Sequence, residues 1–250
     1  PGNRGRCNWN PDIPRPQGPT GYHISPHPYS IPVSSAEKAA QTLTKVDKHD
    51  IRVLSAIELG MIKYHVVPPR ELVRITGFSE RRVDFYLNRL YRNDLIYRQS
   101  DPYLGYLMNY TAYDMLALNA IVKSRLIEFL GPSIGVGKEA DVFEGVTSDD
   151  ITVAVKFHRL GRTSFRDTKR KREYLAERRH TSWLHQSRLA AEFEFKALQL
   201  MYDAGVSVPK PIHQNRHVII MEFIKGGQLS DIISLEEPEE FLMGILDNMR

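Results

Sequence analysis

The stretch Ile134-Gly135-Val136-Gly137-Lys138-Glu139-Ala140, followed by Val153-Ala154-Val155-Lys156, decides how this chain is read. Its order predicts a strand, a glycine-rich turn, a second strand, and a third strand ending on an inward lysine. A backbone that approaches an anion closely needs glycines, because a side chain obstructs the approach. Gly135 and Gly137 supply two; Lys138-Glu139-Ala140 comes directly after, with no third. A lone G-x-G is more often a tight hairpin turn, so the weight falls on the downstream strand. Across residues 151–157, alternation puts Ile151, Val153 and Val155 on one face and Thr152, Ala154 and Lys156 on the other. Ala154 is small enough to lie flat against a purine ring, and Lys156 is aimed at phosphates.

A lysine at a strand end is ordinarily a surface residue. What singles out Lys156 is Glu194. The helix over residues 187–203 carries an inward stripe of Ala190, Phe193, Ala197, Leu198 and Met201, and Glu194 falls within it. A carboxylate there is costly unless paired, so a Lys156–Glu194 ion pair resolves both oddities and fixes the ammonium for nucleotide phosphates. Downstream, Val208-Pro209-Lys210-Pro211 opens a short strand, and residues 217–224 form an apolar strand ended by Lys225-Gly226-Gly227. In a protein-kinase-like lobe this strand runs into the hinge. Met221 is then the gatekeeper, and backbone groups of Glu222 and Ile224 read adenine.

With 250 residues the chain is long enough for two domains, each with its own core. No apolar run reaches membrane-spanning length, and the Pro-rich start lacks the apolar centre of a signal peptide. The single cysteine, Cys7, excludes an internal disulfide, so the expected home is a reducing cytoplasm, with no membrane contact. The net charge of +4 is unevenly spread: residues 159–188 hold ten Lys/Arg against three acids, and residues 231–247 hold six acids and no base. Such a basic segment is a solvated mobile loop or a polyanion-binding surface. Ser164 within it is a candidate acceptor for self-phosphorylation.

The chain divides into three segments. Residues 1–43 are predicted to be a disordered Pro-rich tail, residues 1–32 holding eight of the fifteen prolines. No methionine begins the chain, and the expectation is a genuine start near Val33. Residues 44–130 are predicted to form a winged-helix domain with a linker helix. Val46, Ile51, Val53, Leu54 and Ile57 mark its first helix; a second spans residues 70–76 and ends at Gly77; Ser79 caps a third with an apolar face of Val83, Tyr86, Leu87 and Leu90. The opposite face carries Arg81, Phe85, Asn88, Arg89 and Arg92, suited to nucleic acid, structured RNA before a DNA operator, or equally to a protein contact or plain solvation. Residues 95–98 and 106–110 make the wing, and residues 111–130 a long linking helix. Residues 131–250 are the N-terminal kinase-like lobe, its hinge and the start of a C-terminal lobe. The fold class is α+β: a winged-helix domain followed by the N-terminal lobe of a protein-kinase-like fold.

Gly-Val-Gly-Lys-Glu-Ala (135–140), Val-Lys-Phe-His-Arg-Leu-Gly-Arg-Thr-Ser-Phe (155–165), Lys-Arg-Glu-Tyr (171–174) and Pro-Lys-Pro (209–211) resemble the RIO family of atypical protein kinases. The winged helix ahead of the lobe resembles the RIO kinase 2 subfamily in particular. The resemblance covers residues 46–250. It implies an ATP- and Mg2+-dependent serine/threonine kinase or ATPase, with Lys156 and Glu194 as catalytic residues. Nucleotide-binding positions would be Gly135, Gly137, Lys138, Ala154, Lys156, Met221, Glu222 and Ile224. Implied partners are ATP, the pre-ribosomal small subunit and its rRNA. One departure matters: no His-Gly-Asp or His-Arg-Asp loop and no Asp-Phe-Gly-like motif is present, so the chain carries none of the family's metal ligands. The expectation is a fragment of a longer enzyme. The alternative is a winged-helix nucleic-acid-binding regulator with a non-catalytic kinase-like lobe.

Overall fold

Helix-capping chemistry sets the first boundary. In the computed structural model, which describes residues 34–160, 183–227, 229, 232–234 and 237–248, the Ser34 hydroxyl accepts from the Glu37 N–H while the Glu37 carboxylate accepts from the Ser34 N–H. This reciprocal box starts helix α1 (Ser35–Leu43), whose Ala36 and Ala39 are fully buried. The expectation of a tail up to residue 43 is therefore corrected: from Ser35 onward the chain joins the core. Residues 1–33 lie outside the described residues.

A second box, Asp47 with Asp50, starts α2 (Lys48–Gly60), which buries Val53, Leu54 and Ile57. Pro69 sits at the first turn of α3 (Pro69–Thr76), and Gly77 closes it at φ 68°, a left-handed torsion that favours glycine. Helix α4 (Glu80–Arg92) buries Val83, Tyr86, Leu87 and Leu90, the stripe its period predicts. Ser79 holds the cap position without a side-chain hydrogen bond. Strands β1 (Ile96–Gln99) and β2 (Gly105–Met108) pair as the wing, Ile96 opposite Met108, and a bridge joins Val67 to Tyr106. A Cβ on Gly105 would sit 2.8 Å from that of Val66, so only glycine lets these backbones meet.

Helix α5 (Tyr110–Lys123) is shorter than the linking helix expected to residue 130, because residues from Phe129 are already strand. Almost every side chain of its first turns is buried, since it packs on α1 and on the following sheet. That sheet contains β3 (Phe129–Val136), β4 (Ala140–Val146), β5 (Thr152–His158), β6 (Pro211–Asn215) and β7 (Val218–Glu222), all antiparallel in the order β3-β4-β5-β7-β6. Helix α6 (Trp183–Asp203) crosses it, and α7 (Pro238–Asn248) leaves Phe241, Leu242, Ile245 and Leu246 exposed.

The expectation of two separate cores is also corrected. One buried apolar cluster runs from Leu54 and Leu87 through Tyr113, Leu116 and Ile127 to Phe143, Val155, Phe157 and Ile220. The described residues from Ser34 onward accordingly form one compact unit. A smaller cluster on the opposite sheet face joins Ala191 and Leu198 of α6 to Ile219, with Phe195, Val208 and Met221 packed beside it.

Candidate functional site

Strand β5 decides the geometry. Its pleat sends Val153, Val155 and Phe157 into the large cluster, and its register sets Ala154 beside Met221 and Lys156 beside Ile219, the α6 side of the sheet. Ile151 precedes the strand and is exposed, so it is no part of the buried layer expected for it.

Lys156 Nζ donates to both Glu194 oxygens, at 2.6 and 2.8 Å. The lysine side chain is 24% exposed and the glutamate 31%, so a third party can still reach both. The reason for the pair differs from the sequence expectation. Helix α6 packs through Leu184, Ser187, Ala191, Phe195 and Leu198, while Phe193 is 69% exposed and Ala197 and Met201 face solvent. Glu194 stands at the rim of the packed face, not inside an apolar stripe. Periodicity gave the right partner from a stripe turned by about one residue.

His158, two residues along the same face, brings Nε2 to 3.4 Å from Glu194 Oε2. Burial, aided by Lys156, His217 and Arg159 and opposed by Glu194, pushes this imidazole down to about 4. At neutral pH it adds no charge beside the Lys156 ammonium.

The glycine-rich turn is a hairpin between β3 and β4, in which the Gly137 N–H donates to the Ala140 carbonyl at 2.8 Å. Among described glycines only Gly77 and Gly205 have positive φ, so torsional freedom is not what Gly135 and Gly137 provide. A Cβ on Gly137 would lie 3.2 Å from the Ala140 carbonyl oxygen and crowd the turn, whereas one on Gly135 would meet open space. Internal packing thus explains Gly137, whereas no described atom crowds Gly135. Lys138 is exposed at the tip.

On β7, Met221 is partly buried against the α6 cluster. The Glu222 N–H donates to the Lys210 carbonyl at 2.9 Å, so any adenine contact by Glu222 is made through its carbonyl. Ile224, past the strand end, is exposed.

Sequence reasoning missed a second charged group. Arg159, expected in a mobile basic loop, is 1% exposed. Its guanidinium donates to both oxygens of Asp114 on α5, at 2.6 and 2.9 Å, and through Nε to Asp141 on β4 at 2.9 Å. His217 completes the group, its Nε2 lying 2.7 Å from Asp114 Oδ1. Burial alone would raise the Asp114 carboxyl, but Arg159 and His217 outweigh it and hold it below the usual range. The available signal was Asp114 itself, the one acid in an otherwise apolar helix. The rest of the basic segment, residues 161–182 with Ser164, lies outside the described residues.

The basic face of α4 also needs correction. Arg89 does not stand free: it is paired with buried Asp50 and, at 2.7 Å, with Asp47. Arg81, Arg92, Asn88 and Phe85 remain exposed. Elsewhere a cavity of about 600 Å3 opens between α2, α5, α6 and the β6–β7 turn. Its charged groups are spent on each other or on neighbours, Glu58 on Arg216 and Arg188 on Glu192. Among the described residues no helix is long and apolar enough to cross a membrane.

This architecture has known counterparts. Residues 43–124 match the Rio2 N-terminal family and residues 141–250 the RIO domain. The RIO-type serine/threonine-protein kinase Rio2 of Methanocaldococcus jannaschii is 40% identical over 189 residues, covering 74% of this chain and 68% of that protein. The serine/threonine-protein kinase rio2 of Dictyostelium discoideum is 35% identical over 207 residues, 83% of this chain but 40% of the relative. The chain thus spans about two fifths of that relative's length. Among solved structures, the Rio2 kinase–ADP/Mg2+–phosphoaspartate complex from Chaetomium thermophilum superposes with a TM-score of 0.74 at 32% identity, covering 83% of this chain and 62% of the other. A winged helix fused through one core to a lobe carrying a Lys–Glu pair, with these matches along both halves, places the chain in the Rio2 family of RIO-type serine/threonine-protein kinases.

Proposed function

We propose that this chain is the nucleotide-binding portion of an ATP-dependent serine/threonine kinase or ATPase that acts in the cytoplasm on the maturing small ribosomal subunit. The observation that carries the reading is the bidentate Lys156–Glu194 pair, partly exposed at the rim of the packed face of α6 with a neutral imidazole beside it. An ammonium fixed by a carboxylate and still open on one side suits phosphate oxygens, as in kinases.

The surrounding residues fit the nucleotide. Ala154, small and paired beside Met221, leaves room for a flat ring, and the open space at Gly135 admits a close anion. Lys138 at the turn tip adds an exposed cation, and the Glu222 carbonyl with the Ile224 backbone would hold adenine. ATP with Mg2+ supplies the transferable phosphoryl group; among the described residues no cluster of His, Cys, Asp or Glu is arranged to hold the metal. The ADP/Mg2+ complex of the Chaetomium thermophilum relative supports this cofactor assignment.

For the partner, the exposed Arg81, Arg92 and Asn88 of α4 suit the phosphate backbone of structured RNA, the rRNA of the precursor subunit. The test is binding of ADP–Mg2+ and phosphotransfer by the full-length protein, with and without Lys156→Ala. Retention of both by the variant would overturn the assignment. Sequence-selective binding of a DNA duplex without nucleotide binding would favour the regulator.

A further inference from the structure

The Arg159 group lies where the winged-helix domain, the glycine-rich turn and the lysine strand meet. Asp114 belongs to α5, Asp141 comes directly after the turn, and Arg159 comes after His158 at the end of β5. Besides its side-chain bonds, the Arg159 N–H donates to the Glu139 carbonyl at 2.6 Å, inside the turn itself. One residue therefore grips the turn twice, through its backbone at Glu139 and through Nε at Asp141. Its other two guanidinium nitrogens are committed to Asp114.

The rest of the group fixes this arrangement. The Asp114 carboxylate beside His217 Nε2 holds the ring proton there, and His217 stacks on Tyr113 of α5 with centroids 4.2 Å apart. The Arg159 guanidinium lies 5.5 Å from the Tyr110 ring centre and 5.1 Å from that of Phe157. Arg159, Asp114, Asp141 and His217 are all buried. A charge pair so enclosed cannot slide by solvating one partner, so α5 and the turn move together or not at all.

We infer that Asp114, a residue of the winged-helix domain, is a positioning residue for nucleotide binding: through Arg159 and Asp141 it sets the glycine-rich turn over the site of Lys156. This inference rests on the nucleotide-binding reading above. It adds that the affinity of the lobe is set partly by the domain before it. Coupling of this kind is reciprocal, so nucleotide on the lobe must tighten the seat of α5.

A second joint between the same domains supplies the control. Glu58 of α2 is bidentate to Arg216 of the β6–β7 turn, at 2.8 Å for each bond, and touches neither the glycine-rich turn nor β5. In the full-length protein, Asp114→Asn and Asp141→Asn should each weaken ADP–Mg2+ binding roughly five- to fifty-fold, and Glu58→Gln less than about twofold. Affinity is measured by calorimetry at a temperature where circular dichroism shows each variant folded. In wild-type protein, which needs no destabilised variant, ADP–Mg2+ should slow hydrogen exchange of the α5 amides. Wild-type affinity in Asp114→Asn, an equal loss in Glu58→Gln, or no slowing in α5 each overturns the relay while leaving the nucleotide site standing. Failure of the wild-type protein to bind ADP–Mg2+ overturns the kinase reading and the relay with it.

Discussion

Lys156 and Arg159 stand three residues apart, each bonded to carboxylate, and do opposite work. The Lys156–Glu194 pair is about one quarter to one third exposed, and the ammonium, with three donors, is not confined to one partner. Arg159 is enclosed and spends its planar fork on two carboxylates from two elements. Exposure and unspent hydrogen-bonding capacity, more than charge, separate a site from a scaffold. A half-open pair contributes at most about 1 kcal/mol to stability but can accept a ligand. A buried triad that loses its cation leaves two carboxylates without their guanidinium partner.

The largest effect should therefore come from breaking the closed member. Arg159→Met is expected to destabilise the fold by roughly 3–5 kcal/mol, read as a shift of the urea midpoint. A loss below about 1 kcal/mol would mean that the group is not the clamp its geometry suggests. Lys156→Ala should do the reverse, leaving the midpoint nearly unchanged while costing about 1.5–3 kcal/mol of nucleotide affinity, one charge-assisted contact. If the two variants behave alike in both measurements, the contrast fails.

Acid sharpens the comparison from the site's side. The His158 imidazole titrates near 4 when folded, against an ordinary value of 6.5. The unfolded chain therefore takes up the proton first, and stability is full above about pH 6.5 and falls as pH drops toward 4. His217 is shifted in the same direction by its burial. Between pH 7 and pH 5 the His158 contribution is on the order of 2 kcal/mol, and His158→Gln should flatten the stability–pH curve in that window. An unchanged slope in the variant would assign the loss elsewhere.

The smallest expected effect concerns the exposed arginines of α4. Arg81→Ala with Arg92→Ala should weaken binding to structured RNA about equally for all sequences and flatten the log–log salt dependence by about 1.4–1.8. Arg89→Ala, by contrast, should act on stability, since it leaves buried Asp50 without its cation. Filter binding over a salt series separates the two; an Arg89 variant of full stability and reduced RNA affinity would restore that residue to the interface.

The legible parts share one property: their information is local. The period of two reports that Val153, Val155 and Phe157 face the core, failing only at Ile151 before the strand, and the period of 3.6 in α4 finds its buried stripe. Capping chemistry is local as well, yet the Ser34–Glu37 box is masked by the prolines upstream, which suggest a tail. Periodicity can place Arg89 on a polar face but cannot name Asp50, 39 positions away, as its partner.

By itself, then, the sequence determined the kind of fold, the strand that carries Lys156, and the lysine's carboxylate at Glu194. Tertiary structure alone decided that Arg159 is a buried clamp, because Asp114, Asp141 and His217 lie 45, 18 and 58 positions away on other elements. It also decided that the two domains share one core. Burial follows from the pattern of a segment, whereas the partner that completes a buried charge is fixed only when separate segments pack together.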